Sequence, residues 1–82
     1  MREQVTFAVD PNGGAFYVQL TSEAKDFLKL PHLGATIDTR RGGFPRNLKP
    51  GFYQGTLSLY GSRETPAVQW DQVQQARLLT RW

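Results

Sequence analysis

Cysteine is absent from this 82-residue chain, and histidine occurs once. The first absence excludes disulfides and thiolate metal sites. The second leaves a transition-metal site to be built from carboxylates around His32 alone, and none stands at a ligand-like spacing. No run approaches the ~20 apolar residues of a membrane helix. The opening residues, Met1-Arg2-Glu3-Gln4, lead straight into an alternating pattern with no apolar stretch of signal-peptide length, so a cytoplasmic protein without a membrane partner is expected. Ser22, Ser58 and Ser62 lack a nucleophile-elbow context. Gly42-Gly43 is not followed by the Lys-Ser or Lys-Thr of a phosphate-cradling loop. Together these absences predict a non-enzymatic binding protein with no catalytic residue, metal or cofactor.

What is present fits one domain, residues 1–82. Hydrophobic residues make up 39%, too many for a disordered chain. A domain this small buries only about 60% of its unfolded surface. Without disulfides or metal, its reinforcement has to come from tight packing or from a second copy, so a homodimer is a natural expectation.

Charge is unevenly distributed. In residues 1–35, Arg2, Lys25 and Lys29 stand against Glu3, Asp10, Glu23 and Asp26. Beyond them, Arg40, Arg41, Arg46, Lys49, Arg63, Arg77 and Arg81 stand against only Asp38, Glu64 and Asp71. The formal net charge of +3 therefore resides in the second half, mostly as arginine, whose forked guanidinium suits phosphate and carboxylate.

Period-two alternation places a strand at Val5, Phe7 and Val9 and another along Ala15–Leu20, where Phe16, Val18 and Leu20 alternate with Ala15, Tyr17 and Gln19. Asp10-Pro11-Asn12-Gly13-Gly14 between them reads as the turn of a β-hairpin. Thr21 or Ser22 supplies an N-cap for a short helix whose apolar stripe is Ala24, Phe27 and Leu28, and which ends before Pro31. Ala35–Thr39 is a short strand, and Tyr53–Tyr60 alternates as a longer one. Val68 and Trp70 alternate over a short strand at 67–70. From Asp71 the Gln-, Ala- and Leu-rich tail predicts a C-terminal helix, with an all-strand tail as the competing reading. The fold class is α+β: a small, mainly antiparallel sheet of four to five strands, one short helix after the first hairpin, and a helix at the C-terminus.

The candidate site is the aperiodic stretch from Arg40 to Gly51. It holds Arg40, Arg41, Arg46 and Lys49 around Phe44, and Arg63 extends the patch. Phosphates attract guanidinium and ammonium groups, and unstacked bases attract aromatic faces. Phe44, just before Pro45, serves either as such a face or as a latch holding the loop on the core. The partner is then nucleic acid or an acidic protein surface. The leading expectation is a nucleic-acid-binding accessory or regulatory domain. The alternative is a protein-interaction or inhibitor module, a phage- or plasmid-type accessory factor acting on a host enzyme or nucleoprotein complex. Trp70, Trp82 and three tyrosines are residue types that dominate interface hot spots.

One local pattern has a known counterpart. Residues 4–38 run strand, Gly-containing turn (Asn12-Gly13-Gly14), strand, short helix ending in leucines (Phe27-Leu28-Lys29-Leu30), Gly turn and strand. This order resembles the swapped-hairpin AbrB/MazE-type DNA-binding domains over under half the chain. The chain departs from them with an acidic Asp10-Pro11-Asn12-Gly13 turn in place of a basic one, and with Leu20-Thr21 where that family opens its helix with Ile-Pro. The resemblance carries no site residue over.

Overall fold

The structure is a computed structural model that describes residues 2–30 and 34–77. Five strands form one antiparallel sheet: β1 (Arg2–Val9), β2 (Ala15–Gln19), β3 (Thr36–Ile37), β4 (Gly51–Gly61) and β5 (Pro66–Ala76), in the spatial order β3-β2-β1-β4-β5. One helix, α1 (Ser22–Leu28), lies between β2 and β3.

The first hairpin closes through its aspartate. Asp10 Oδ1 accepts from the backbone N–H groups of Asn12 and Gly14, at 2.9 and 2.8 Å, so the turn is held by contacts within its own residues. Thr21 is the N-cap of α1: its hydroxyl oxygen accepts from the Ala24 N–H at 3.2 Å and donates its proton to the buried Glu3 carboxylate at 2.8 Å. One residue thereby ends β2, starts α1 and ties both to β1. The helix stops at Lys29, which takes the left-handed conformation (φ 57°), and the Leu30 N–H returns to the Lys25 carbonyl at 3.0 Å. Pro31, the stop expected from sequence, lies outside the described residues.

Two corrections concern strands. The helix expected from Asp71 is absent over Asp71–Ala76, which continue β5; the rest of that expectation, from 78 onward, lies outside the described residues. The reason is a bulge. Thr56 faces Asp71 while Gln54 faces Gln74, so β5 carries an additional residue there, and Gln72 has positive φ (52°). The bulge turns Val73 to the same side as Trp70, three residues away, and that spacing imitates a helix. Pairing with an eleven-residue β4 outweighs a helix preference worth only tenths of a kcal/mol per residue. The second correction is to β2. Its inward residues are Ala15 and Tyr17, both buried, whereas Phe16 and Val18 face outward and are half-buried. A register shift opposite Thr6 and Phe7 then returns Leu20 to the core.

The core lies on the inner face. Phe7, fully buried on the central strand, meets Phe44 and Trp70 edge-on, with centroids at 5.2 and 5.1 Å, and stacks on Tyr53 at 5.5 Å. Phe44 meets Trp70 at 5.3 Å and Tyr17 stacks on Trp70 at 6.2 Å. Gly55 makes room for this cluster: a Cβ there would stand 3.0 Å from the Trp70 ring and from the Val73 methyl.

The loop 38–50 leaves the edge strand β3, crosses the inner face and reaches the opposite edge. There the Trp70 N–H donates to the Gly42 carbonyl at 2.6 Å, so the loop satisfies part of the outer edge of β5. Gly42 and Gly43 both have φ of 67°, but their surroundings differ. A Cβ on Gly42 would lie 2.8 Å from the Val68 carbonyl oxygen, whereas one on Gly43 would find only the Trp70 oxygen, at 3.9 Å. Gly43→Ala is expected to cost about 1–2 kcal/mol from backbone strain alone. Gly42→Ala should cost about 1–3 kcal/mol more, because the anchor on β5 has to move. Urea unfolding of the two variants checks this; equal midpoints would contradict the anchoring role of Gly42.

Candidate functional site

Phe44 is not a stacking face: it is buried, and its ring is part of the core. Of the two roles open to it in the sequence, the structure gives it the latch. With Gly42 bonded to Trp70 and Phe44 held against Phe7, Gly43, Arg46 and Asn47 stand exposed, while Leu48 packs back against the core. The backbone also settles near the end of the loop, where the Tyr53 hydroxyl donates to the Lys49 carbonyl at 2.5 Å.

The five predicted cations are all exposed, yet they do not form one continuous patch. Arg40 and Arg46 line the same hollow of about 560 Å³, beside Pro45, Asn47 and the Gly13 turn of the first hairpin. Arg41 points to a different hollow, on the Trp70 side of the loop. Arg63, in the β4–β5 turn, borders a cleft that also holds Glu23 and Asp26 of α1, so its surroundings are mixed in charge. Lys49 lies further along the loop toward β4.

Asp38 organises the start of the loop, a role that its sequence context did not disclose. Its Oδ1 accepts from the Arg40 backbone N–H at 3.1 Å and from the Arg40 Nε at 3.4 Å, and its Oδ2 lies 3.6 Å from the Arg41 Nε. The Arg40 backbone hydrogen bond, followed by the Arg40 side chain and the charge of Arg41, holds the Asp38 carboxyl below its ordinary value of 3.8. One carboxylate thus serves two guanidiniums that are nearly 90% exposed, which leaves a net positive surface. Arg46, Lys49 and Arg63 enter no ion pair among the described residues.

The hollow beside Arg41 encloses about 440 Å³ between the two edges of the sheet. Tyr17 and Trp70 line it, the aliphatic side chains of Leu28, Leu30, Ile37 and Val68 surround it, and Arg41 and Asp38 stand at its rim. Sequence reasoning missed this feature because its lining comes from β2, the end of α1, β3, the loop and β5, and no spacing in the chain connects them. The outer face of the sheet was missed as well. There a row formed by Phe16, Ala8, Phe52 and Ala76 crosses four strands, next to a row of Gln19, Thr6, Gln54 and Gln74.

Among the described residues no three His, Cys, Asp or Glu side chains gather as a metal site, and no helix is long and apolar enough to cross a membrane. His32 lies outside the described residues. Comparison with known proteins finds no matching family model and no similar curated protein or solved structure.

Tyr17 gives this region a measurable signature. Burial raises its phenol from 10.0 to about 12. The unfolded chain therefore releases this proton more readily than the folded one, and the stability tied to the neutral phenol is present below pH 10 and lost between pH 10 and 12. The expected loss is on the order of 2 kcal/mol. Tyr17→Phe should decline less over this range in urea titrations at successive pH values; an identical decline would show that Tyr17 is not the group responsible.

Proposed function

We propose that the protein binds nucleic acid through the Arg40–Lys49 loop, with Arg40, Arg41, Arg46 and Lys49 on backbone phosphates and Arg63 at the margin. The observation that carries this reading is the pinned loop: Gly42 and Phe44 fix it to the sheet, its four cations stand exposed, and the one loop carboxylate, Asp38, pairs with only Arg40 and Arg41. A fixed set of cations loses less conformational freedom on meeting phosphates than a mobile set would. It also reads charge rather than sequence, which agrees with an accessory role along a polyanion. Phe44 contributes by holding the loop, and base contact falls to other groups.

The alternative, a protein-interaction or inhibitor module, is favoured by one feature. Tyr60 is 53% exposed beside Arg63, at the rim of the cleft that faces Glu23 and Asp26. An amphipathic ring next to an arginine is a common interface anchor.

Fluorescence anisotropy with labelled DNA and RNA oligonucleotides tests the first reading. Contacts from four cations predict a slope of log affinity against log salt of about −3 to −4. That corresponds to roughly a hundredfold loss between 50 and 200 mM salt. Replacing Arg40, Arg41, Arg46 and Lys49 together by alanine should abolish most of this slope, whereas Lys25→Ala on α1 should leave it intact. Unchanged affinity in the quadruple variant, or no binding of either polymer at low salt, would refute the proposal.

A further inference from the structure

Two residues that line the hollow beside Arg41 carry polar groups with no hydrogen bond among the described residues. Tyr17 and Trp70 are each only 6% exposed. Neither the Tyr17 hydroxyl nor the Trp70 indole N–H makes a hydrogen bond among the described residues. Yet no buried side-chain polar atom is sealed off without a partner. Both rings line the hollow.

Three features of this hollow define what it accepts. Its lining residues supply donors: an indole N–H is a donor only, and a phenol that ionises only near pH 12 keeps its proton throughout the neutral range. Its walls are aliphatic and aromatic, and the Tyr17 and Trp70 rings lie near-parallel, at an interplanar angle of 20°, an orientation that a planar body would match. Its rim carries Arg41 and Asp38, and because Arg40 also holds the Asp38 carboxylate, Arg41 is only partly neutralised. Arg41 is bound to that carboxylate only by an exposed contact of 3.6 Å, weak enough to exchange for another anion. A volume of about 440 Å³ is within the range of small-molecule sites, roughly 300–1,000 Å³.

We propose that this hollow binds a small amphiphilic carboxylate: a planar apolar body, an oxygen acceptor at the inner end for the Tyr17 hydroxyl and the Trp70 N–H, and a carboxylate at the rim for Arg41. Arg41 lines this site, whereas Arg40 and Arg46 line the other hollow. It does not depend on nucleic-acid binding, and its test contains no nucleic acid, so the two readings succeed or fail separately.

The probe is 6-hydroxy-2-naphthoate, with two relatives that each lack one polar end: 2-naphthoate, without the inner oxygen, and the methyl ester of the probe, without the charge. Binding is followed by the Trp70 indole N–H resonance of the full chain, assigned with the help of Trp82→Phe. The expected result is a saturable shift with a dissociation constant of ~1 mM, the affinity ordinary for a ligand of this size. The probe should bind about fivefold more tightly than either relative. Arg41→Gln should erase the preference for the acid over its ester and keep the preference for the inner oxygen. Tyr17→Phe, nearly isosteric, should reduce the preference for the inner oxygen and keep that for the acid. No saturable shift of the Trp70 resonance up to 10 mM (about ten times the expected constant), or preferences that survive in both variants, would overturn the proposal.

Discussion

The hydrogen bond from the Trp70 N–H to the Gly42 carbonyl joins the two ends of the architecture. Trp70 belongs to the last strand, at one edge of the sheet; Gly42 follows the short strand at the other. An edge N–H left in apolar surroundings would carry a desolvation cost of about 1–3 kcal/mol. Here the loop supplies its acceptor, and only glycine permits it, since any Cβ at position 42 would press on the Val68 carbonyl. Once this contact is made, the loop lies across the inner face and Phe44 fits between Phe7 and Trp70. The cations on either side then face outward. The hollow beside Arg41 is the space left between this crossing and the β2–β3 edge.

The cluster beneath the crossing explains how a small chain without disulfides holds such a loop. Phe7, Tyr17, Phe44, Tyr53 and Trp70 come from β1, β2, the loop, β4 and β5. Each aromatic ring buries on the order of 150–250 Å². Every element except α1 and the two-residue β3 thus contributes a ring to one contact network, and α1 is joined through Thr21 and Glu3. Removing any one ring opens a space bordered by the others, a change that typically costs about 3–5 kcal/mol for phenylalanine. A domain of this size has little more than that in reserve. The exposed cations and the core are therefore not independent here: the loop that carries the cations is held by Phe44, a core ring.

Signals contained within a few residues were readable from the sequence. The hairpin follows from Asp10 and its glycines, α1 from the Thr21 cap and the Ala24-Phe27-Leu28 stripe, and β4 from unbroken alternation. The failures occur where a bulge changes the period. At Gln72 an additional residue makes Trp70 and Val73 share a face, which on paper is a helical spacing. Near Val18 another shift puts Tyr17 and Leu20 on the inside and Phe16 outside, although Phe16, Val18 and Leu20 alternate in the chain. The loop was legible as basic and aperiodic, but composition carries no direction. Whether Phe44 faced a ligand or the core depended on Phe7 and Trp70, which are 37 and 26 positions away. The partition of Arg40, Arg41 and Arg63 among three separate hollows depended on the same long-range geometry.

Electrostatically, the loop and the hollow have fixed states over the neutral range. Asp38 is held ionised below its ordinary value of 3.8, and Tyr17 is held neutral up to about pH 12. Arginine does not lose its proton in proteins, so Arg40 and Arg41 always divide one negative charge between them. Neither group can then act as a pH sensor near neutrality. What can vary is the partner of Arg41, because its contact with Asp38 is long and exposed, while Arg40 holds the same carboxylate through both backbone and side chain. An anion approaching the rim of the hollow competes with Asp38 for Arg41 alone. The backbone bond from Arg40 keeps the loop in place during that exchange, so Arg41 can change partners without loosening the anchor at Gly42.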